Sequence, residues 1–369
     1  MVLDTILILL ASIYGGRVAY FFRGFQKERN RWQEPQVRPS VSVVVPARNE
    51  ESNLESCITS IALSTYPREL LEVIVVNDRS TDSTATIAND LAKQWDFVKV
   101  VHRTEDSVEQ NLQGKAGALQ AGMDIAQGEI LLLTDGDCMV SNTWIDGMTA
   151  QFKDSAVGIV SGLTSVSGAG FFDRLQDVEW LYTQCMAAGG VGNGTRLGCF
   201  GNNMAIRRSV FEELGGYRNI QFSLTEDMAL QNAAFEAGHK LRFAISPLVS
   251  VTTQPCSTFP EYVKQRHRWV RGGTGLGIRA VVFVATSMTL WAGLAISLAS
   301  SSWKTFWLFV ALRLLADSIL IGVSARAIGR IRMIPMLIPA MCILVLTELF
   351  IPFLVTRKTV IWKGQSFRS

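Results

Sequence analysis

Two aspartates, Asp135 and Asp137, flank a glycine directly after an apolar run over residues 129–134 of this 369-residue chain. Carboxylate oxygens are the ligands that Mg²⁺ and Mn²⁺ prefer, and a bound divalent ion can in turn hold a diphosphate. Asp and Gly are also common in turns, so the triplet by itself is weak evidence for a metal site. Its position at the end of an apolar run favours the metal site.

Polar clusters also follow two earlier apolar runs. Residues 46–50, Pro-Ala-Arg-Asn-Glu, come after the run at 41–45, and residues 77–80, Asn-Asp-Arg-Ser, come after the run at 71–76. In parallel α/β sheets, ligands bind outside the carboxyl ends of the strands. We therefore expect all three clusters to lie at one edge of a sheet and to line one ligand site.

Lys115 and Asp227 are two further candidates. The segment around Lys115 lacks the Ser/Thr and the leading glycine of a P-loop, but a lysine at this edge can neutralise phosphate as a point charge. Asp227 ends a Thr-Glu-Asp triplet at the start of a predicted helix, where a carboxylate is usually a cap or a partner of the helix dipole. The functional alternative for Asp227 is a general base.

An amphipathic helix is predicted over residues 259–271. Gln265, Arg268 and Trp269 stand at i, i+3 and i+4 and therefore share one face. Gln and Arg donate to phosphate oxygens, and Trp offers a flat surface to a sugar. The alternative for Trp269 is an interfacial belt beside a membrane. Four other residues of this helix are candidates for lipid-headgroup contacts: Lys264, Arg266, His267 and Arg271.

The elements that must position these residues alternate between strand and helix from Ser40 to about Pro255. Such alternation predicts an α/β domain with a Rossmann-like, mainly parallel sheet and right-handed crossovers. Asn49 is expected to cap a helix that runs to about Ser64. The predicted strands cover 41–45, 71–76, 97–101 and 129–134, and the predicted helices include 81–93, 115–126 and 171–188.

A glycine cluster at 190–194 has some of the glycines of a dinucleotide fingerprint. It follows the predicted helix at 171–188 and not a first strand, which favours a mobile loop.

Composition excludes several classes of protein. Hydrophobic residues make up 48% of the chain, charged residues only 18%, and the mean hydropathy is +0.23, so the chain is too apolar to be disordered or fully soluble. A net charge of +3 gives no reason to expect a nucleic-acid partner. The six cysteines form no C-x-x-C pair and the three histidines no metal spacing, which favours a reducing compartment over a zinc site or a disulfide scaffold.

Hydrophobicity is concentrated at the two ends of the chain. Residues 4–22 predict an uncleaved membrane anchor, because basic residues follow it and place its C-terminal side in the cytosol. Three more apolar segments, at 280–299, 305–324 and 334–355, predict further spans. Four complete spans put the basic tail outside, whereas a broken or re-entrant last segment returns it to the cytosol.

Charged residues also occur inside the predicted spans. Arg313 and Asp317 are four residues apart, so they can neutralise each other on one helix face. Glu348 has no such neighbour in its own segment. Either it has a function within the membrane or it pairs with Arg313.

The motifs occur in a characteristic order: VVVPARNEE, NDRSTD, GKAGAL, DGD, TED and QRHRW. The chain thereby resembles membrane-integrated family 2 glycosyltransferases with a GT-A fold, a group that includes cellulose-, chitin- and hyaluronan-synthase-like and ceramide-glucosyltransferase-like enzymes. The predicted organisation is an N-terminal transmembrane anchor (1–24), a cytosolic GT-A domain (38–258), an amphipathic interface helix (259–273), C-terminal transmembrane helices (279–356) and a basic tail (357–369).

The resemblance implies a role for each matching residue. Asp135 and Asp137 would hold Mg²⁺ or Mn²⁺ and the ribose, and Asp227 would be the catalytic base. The other residues would bind the nucleotide-sugar: Pro46, Arg48, Glu50, Asp78, Lys115, Gln265, Arg268 and Trp269. The segment 361–365 departs from the Trp-Lys-Gly-Arg tail of many relatives, with Gln365 in place of Arg.

The implied reaction is inverting transfer from a nucleotide-sugar, with UDP favoured, to a lipid hydroxyl at the cytosolic face of a bacterial plasma membrane. The alternative is a processive polysaccharide synthase, because the Q-x-x-R-W motif is associated with chain-extending relatives. A polyprenyl-phosphate sugar synthase and a non-enzymatic nucleotide sensor are the remaining hypotheses. Catalytic-type carboxylates at positions 135, 137 and 227 argue against a sensor.

Overall fold

The computed structural model describes residues 2–357, 359–362 and 365–368. Its centre is a seven-stranded sheet, accompanied by a three-stranded sheet and a C-terminal hairpin. The strands are β1 (Val41–Ala47), β2 (Leu71–Asp78), β3 (Val98–Arg103), β4 (Ile130–Leu133), β5 (Met139–Val140), β6 (Val157–Gly162), β7 (Thr164–Val166), β8 (Met204–Arg207), β9 (Lys240–Ala244), β10 (Val251–Thr253), β11 (Thr359–Trp362) and β12 (Gln365–Arg368). The helices are α1 (Val2–Asn30), α2 (Leu54–Ala62), α3 (Thr84–Gln94), α4 (Lys115–Ile125), α5 (Trp144–Ala150), α6 (Phe171–Gly192), α7 (Arg208–Glu213), α8 (Gly216–Asn219), α9 (Glu226–Glu236), α10 (Phe259–Gly273), α11 (Ile278–Ala299), α12 (Trp303–Ala327) and α13 (Leu337–Thr356).

The central sheet has the strand order β3-β2-β1-β4-β8-β6-β9. β3, β2, β1 and β4 are parallel neighbours, β8 is antiparallel to β4 and β6, and β9 is parallel to β6. β-Branched residues dominate β1 and β2 and are buried on both faces, as parallel strands covered by helices require. The mainly parallel α/β sheet predicted from the sequence is therefore confirmed. The antiparallel β8 is a four-residue strand that carried no recognisable signal.

The first helix of the domain begins later than predicted. Asn49 does not cap a helix, because its backbone has a φ of 54° and its side-chain carbonyl accepts a hydrogen bond from the amide of Thr81 at 2.8 Å. The amide of Asn49 in turn donates to the hydroxyl of Ser80 at 3.1 Å. These bonds tie the loop after β1 to the loop after β2, and α2 begins only at Leu54.

The glycine cluster is not a mobile loop up to Gly192, since α6 continues to that residue. The cluster's neighbour Gly189 and its member Gly192 lie against Gly24 of α1. A Cβ on Gly24 would lie 1.8 Å from the carbonyl oxygen of Gly189, and a Cβ on Gly192 would lie 2.0 Å from that of Gly24. Small residues let two helix backbones approach closely, which explains the glycines without any nucleotide.

Four helical segments are long and apolar enough to cross a membrane: Val2–Asn30, Ile278–Ala299, Trp303–Ala327 and Ile331–Ile351. A buried charge cluster joins α12 and α13. Arg313 lies 2.8 Å from Asp317 and 2.9 Å from Glu348, and the indole of Trp291 in α11 donates to Glu348 at 3.1 Å. The predicted pairing of Glu348 with Arg313 is therefore present.

The C-terminal hairpin β11–β12 packs on the segment that precedes α9. Val360 and Phe367 form a cluster with Leu224, and the Phe367 ring stacks on Phe222 at 5.7 Å. Lys358, Lys363, Gly364 and Ser369 of the predicted basic tail lie outside the described residues. The hairpin places the described part of the tail beside the α/β domain.

The Gly24 contact yields a stability test. We expect Gly24→Ala to lower the apparent melting temperature of the detergent-purified chain by at least about 2 °C, because overpacking costs about 1–3 kcal/mol. Gly15→Ala is the matched control: it lies on the same helix and a Cβ there meets nothing within 4 Å. Equal melting temperatures for both variants would contradict the close α1–α6 contact.

Candidate active site

One cavity of about 340 Å³ lies at the carboxyl edge of β1, β2 and β4. It gathers residues from the three strand ends, the start of α4, the start of α9 and one face of α10. Every residue predicted to hold the metal, to bind the nucleotide-sugar or to act as the base lines this cavity: Pro46, Arg48, Glu50, Asp78, Lys115, Asp135, Asp137, Asp227, Gln265, Arg268 and Trp269.

Asp78, at the end of β2, is buried and held by two arginines. Arg79 contacts both carboxylate oxygens, at 2.9 and 3.0 Å, and Arg103 from β3 donates to one of them at 2.7 Å. Arg79 has a φ of 56°, an uncommon conformation for a residue with a side chain. The carboxylate is therefore fixed in one orientation at the cavity wall.

The Asp-Gly-Asp turn packs tightly against the loop after β1. A Cβ on Gly136 would lie 3.1 Å from Cγ of Glu50, so the glycine permits this close approach. Asp137 accepts a hydrogen bond from Thr253 of β10 at 3.4 Å. Among the described residues, no group of three or more His, Cys, Asp or Glu side chains is placed to hold a metal ion. Asp135 and Asp137 supply two hard oxygen ligands, and a diphosphate would have to supply others.

Lys115 bridges the carboxylate after β4 and a carboxylate at the start of α9. Its ammonium lies 2.6 Å from Oδ1 of Asp135 and 3.0 Å from Oε1 of Glu226. Burial by itself lowers the pKa of Lys115, but the two carboxylates outweigh burial and raise it above its ordinary value. Gly114 precedes α4 with a φ of 62°, which favours glycine and explains the Gly-Lys pair in the sequence.

Asp227 lies in the first turn of α9 and faces the cavity. Its Oδ2 accepts a hydrogen bond from the amide of Gly201 at 2.7 Å, and its Oδ1 accepts one from the amide of Met228 at 2.8 Å. Burial, followed by the negative charge of Glu226, raises the pKa of Asp227 to about 6, while the Lys115 ammonium acts in the opposite direction. A carboxylate with this pKa is a suitable base near neutral pH.

The sequence explains why α10 begins at Phe259. Thr258 and Glu261 form a capping box, in which the Thr258 hydroxyl accepts from the amide of Glu261 at 3.4 Å and Glu261 accepts from the amide of Thr258 at 3.3 Å. At the other end of the helix, Gly272 packs on Thr225 so closely that a Cβ would lie 2.3 Å from its Cγ2. The contact between Gly272 and Thr225 sets α10 against the start of α9.

Trp269 and its neighbours form the aromatic wall of the cavity. The Trp269 ring meets Trp180 of α6 edge to face, with centroids 5.0 Å apart, and the Arg266 guanidinium lies 4.2 Å from its centroid. This packing fixes the plane of Trp269.

The lipid-headgroup prediction is wrong for Arg266. Arg266 is buried, and its Nε donates to Glu179 of α6 at 2.8 Å, while Tyr262 donates to the same carboxylate at 2.7 Å. His267 and Arg271 contact the backbone carbonyls of residues 357 and 355, at 2.8 and 3.0 Å. Only Lys264 of that group is exposed. The sequence did not reveal that α6 brings a carboxylate to this side of α10.

Several cavity residues were not singled out from the sequence. They include Trp180 and Thr183 of α6, the segment 197–202, Glu226, Thr253 and Leu276. Of these residues, Glu226 could have been predicted from the sequence, because it belongs to the Thr-Glu-Asp triplet that identified Asp227. The others come from a helix, a loop and a strand whose positions depend on distant contacts.

Comparison with known proteins identifies relatives. Residues 4–369 match the family model described as glycosyl transferase family 21. The chain is 31% identical over 253 residues to a probable glycosyltransferase, YdaM, of Bacillus subtilis (strain 168), which covers 67% of this chain and 59% of that protein. It is 29% identical over 242 residues to a beta-monoglucosyldiacylglycerol synthase of Nostoc sp., covering 64% of this chain and 49% of that protein. The chain thus spans about half to three fifths of the length of these relatives.

A solved structure has the same fold. The mannosyltransferase PcManGT from Pyrobaculum calidifontis, determined in complex with GDP-Man and Mn²⁺, superposes with a TM-score of 0.62 at 22% identity. The match covers 94% of this chain and 99% of PcManGT. The similarity confirms the GT-A fold predicted from the motifs.

Proposed function

Because the chain belongs to glycosyl transferase family 21, we propose that it transfers one sugar from a nucleotide-sugar to the hydroxyl of a membrane lipid, with inversion at the anomeric carbon. One observation carries this proposal. The carboxylate of Asp227, with its raised pKa, lies in the same cavity as the strand-end carboxylates and the Gln265, Arg268 and Trp269 face of α10.

The donor would occupy the strand-end side of the cavity. Asp78, fixed by two arginines, would accept hydrogen bonds from the base or ribose. Arg268 and Lys115 would neutralise the diphosphate, and Trp269 would contact the sugar. The motif resemblance favours UDP as the nucleotide.

Asp135 and Asp137 are the residues that would hold a divalent cation. A cation bound there would neutralise the charge that develops on the leaving diphosphate. The donor set fits: both carboxylates line the cavity, and oxygen ligands suit Mg²⁺ and Mn²⁺. PcManGT, which has the same fold, was determined with Mn²⁺.

In the proposed reaction, Asp227 takes the proton from the acceptor hydroxyl. The acceptor oxygen forms a bond to the anomeric carbon as the bond from that carbon to the diphosphate breaks on the opposite side. Products are the glycosylated acceptor, the nucleoside diphosphate and protonated Asp227. The amides of Gly201 and Met228 orient the carboxylate for this step.

A lipid acceptor fits the position of the cavity. Leu276, two positions before the apolar helix α11, lines the cavity wall, and Tyr262 of α10 contacts Thr347 of α13 at 3.1 Å. The relatives include synthases named for monoglucosyldiacylglycerol. The second candidate, a polysaccharide synthase, has the Q-x-x-R-W face of α10 in its favour. The catalytic domain would face the cytosol of a bacterial plasma membrane, as the basic residues after α1 favour.

Product analysis distinguishes the two acceptors. We expect the purified full-length chain, given a radiolabelled UDP-sugar, Mn²⁺ and bacterial lipid vesicles, to form one lipid-soluble product with a single sugar. A ladder of water-soluble oligosaccharides would instead identify a polymerase. Absence of any labelled product with UDP- or GDP-sugars would overturn the proposed function.

The base is tested by Asp227→Asn. We expect this variant to lose transfer activity by about 10²–10⁴-fold with donor affinity unchanged, because an amide cannot take the proton. In the unchanged chain, kcat/KM should rise with pH up to about 6 and then level off, since protonated Asp227 is inactive. Asp124→Asn, which alters a half-exposed pair with Arg218, is the control. Near-normal turnover by Asp227→Asn would refute the assignment.

The metal ligands are tested by Asp137→Ala. We expect the loss of transfer activity and of the Mn²⁺-dependent gain in UDP-sugar affinity, measured by titration calorimetry with and without EDTA. Asp154→Ala, at an exposed pair with Lys240, should behave like the unchanged chain. Full activity of the unchanged chain in EDTA would contradict metal dependence.

A further inference from the structure

An apolar groove of about 410 Å³ lies between α1 and α11. Ile13 and Gly16 from α1 and Val282 and Phe283 from α11 are among its walls. A Cβ on Gly16 would meet nothing within 4 Å, and Ile13 and Val282 are exposed, so the groove is open on the outer surface of two membrane-type helices. Such a surface faces hydrocarbon and not water.

The groove adjoins the catalytic cavity. Leu197 lines both spaces, and the segment that contains it continues to Gly201, whose amide holds Asp227. Gly201 follows Leu197 by four positions, so the chain between them spans at most about 14 Å. A lipid with its hydroxyl at Asp227 can therefore extend past Leu197 with its first tail carbons in the groove.

Arg17 is a charged residue in an otherwise mainly apolar groove wall. The side chain lines the groove and is only 6% exposed, and its guanidinium lies 4.6 Å from the ring centroid of Phe283. Its Nε and Nη1 atoms have no hydrogen-bond partner within the described part of the chain. Unpaired buried donors are costly, and an acceptor atom on a bound molecule would satisfy them.

Charge balance is the competing explanation for Arg17. Arg313 already contacts both nearby carboxylates, Asp317 at 2.8 Å and Glu348 at 2.9 Å, whereas no ion pair of Arg17 occurs among the residues described. Arg17 makes the sum of these four charges zero, but long-range balance leaves its Nε and Nη1 atoms without an acceptor. A hydrogen-bond acceptor on a molecule in the groove would satisfy them.

We infer that this groove binds one hydrocarbon tail of the lipid acceptor and that Arg17 donates to an ester carbonyl where the tail begins. The inference rests on the proposed function and extends it by assigning the lipid a path, from the bilayer between α1 and α11, past Leu197, to Asp227. In this arrangement Arg17 determines which lipid is accepted, because it recognises the ester carbonyl. It takes no part in the transfer reaction.

Gly16→Leu tests the groove. A leucine there fills the open space, so we expect KM for dioleoylglycerol in nanodiscs to rise about 10-fold or more while KM for the UDP-sugar is unchanged. Gly15→Leu is the matched control, because Gly15 is also open but does not line the groove. Equal KM values of the two variants for dioleoylglycerol would refute the groove as the site of the acceptor tail. The groove would then bind only ordinary bilayer lipid.

Arg17→Met tests the hydrogen bond. The unchanged chain should prefer dioleoylglycerol over its dialkyl ether analogue, which lacks the carbonyls, by roughly 10-fold in kcat/KM, and Arg17→Met should lose this preference. Arg23→Gln, at an exposed position on the same helix, should keep it. A preference that survives in Arg17→Met, or an unchanged chain that uses both lipids equally, would overturn the role of Arg17.

The outcomes separate this inference from the proposed function. If the chain glycosylates another lipid but neither of these two, the inference fails and the proposed function stands. If it glycosylates no lipid at all, the proposed function fails first. Should Arg17→Met fail to fold, the Gly16→Leu and Gly15→Leu pair still decides whether the groove binds the tail.

Discussion

The ammonium of Lys115 holds together the two parts of the chain that make up the cavity. It lies between Asp135, at the end of β4, and Glu226, at the start of α9, with Asp227 next to it. Three carboxylates in one cavity repel one another, and a buried charge without a partner costs several kcal/mol in typical proteins. The lysine compensates this repulsion and brings the strand ends and the proposed base into one site.

Much of this cavity was predictable because parallel sheets follow a simple geometric rule. Residues at the carboxyl ends of neighbouring strands must converge, so Glu50, Asp78 and Asp137 could be expected to meet from their positions after apolar runs. Periodicity likewise placed Gln265 and Trp269 on one helix face. That this face of α10 meets the same cavity came from the motif order and not from periodicity, which says nothing about how helices pack.

Features that depend on distant contacts were not predictable in this way. Arg266 has the same sequence context as an exposed basic residue, yet it pairs with Glu179, which lies 87 positions away. The glycines at the end of α6 have their explanation in Gly24 of α1, near the N-terminus. Asn49 has the residue type of a helix cap but binds a neighbouring loop. In each case the deciding partner comes from another element, and no local pattern encodes it.

The hairpin that rests on Phe222 and Leu224 has a consequence for counting passages through the bilayer. The hairpin packs on the α/β domain, so a bilayer that leaves both on one side requires an even number of passages from the chain between them. α11 and α12 supply two. α13, whose C-terminal end accepts hydrogen bonds from α10, would then lie along the membrane surface on that side without crossing it, because one continuous helix cannot enter and leave by the same face. α13, although long enough to span the membrane, would thus lie between the catalytic domain and the bilayer.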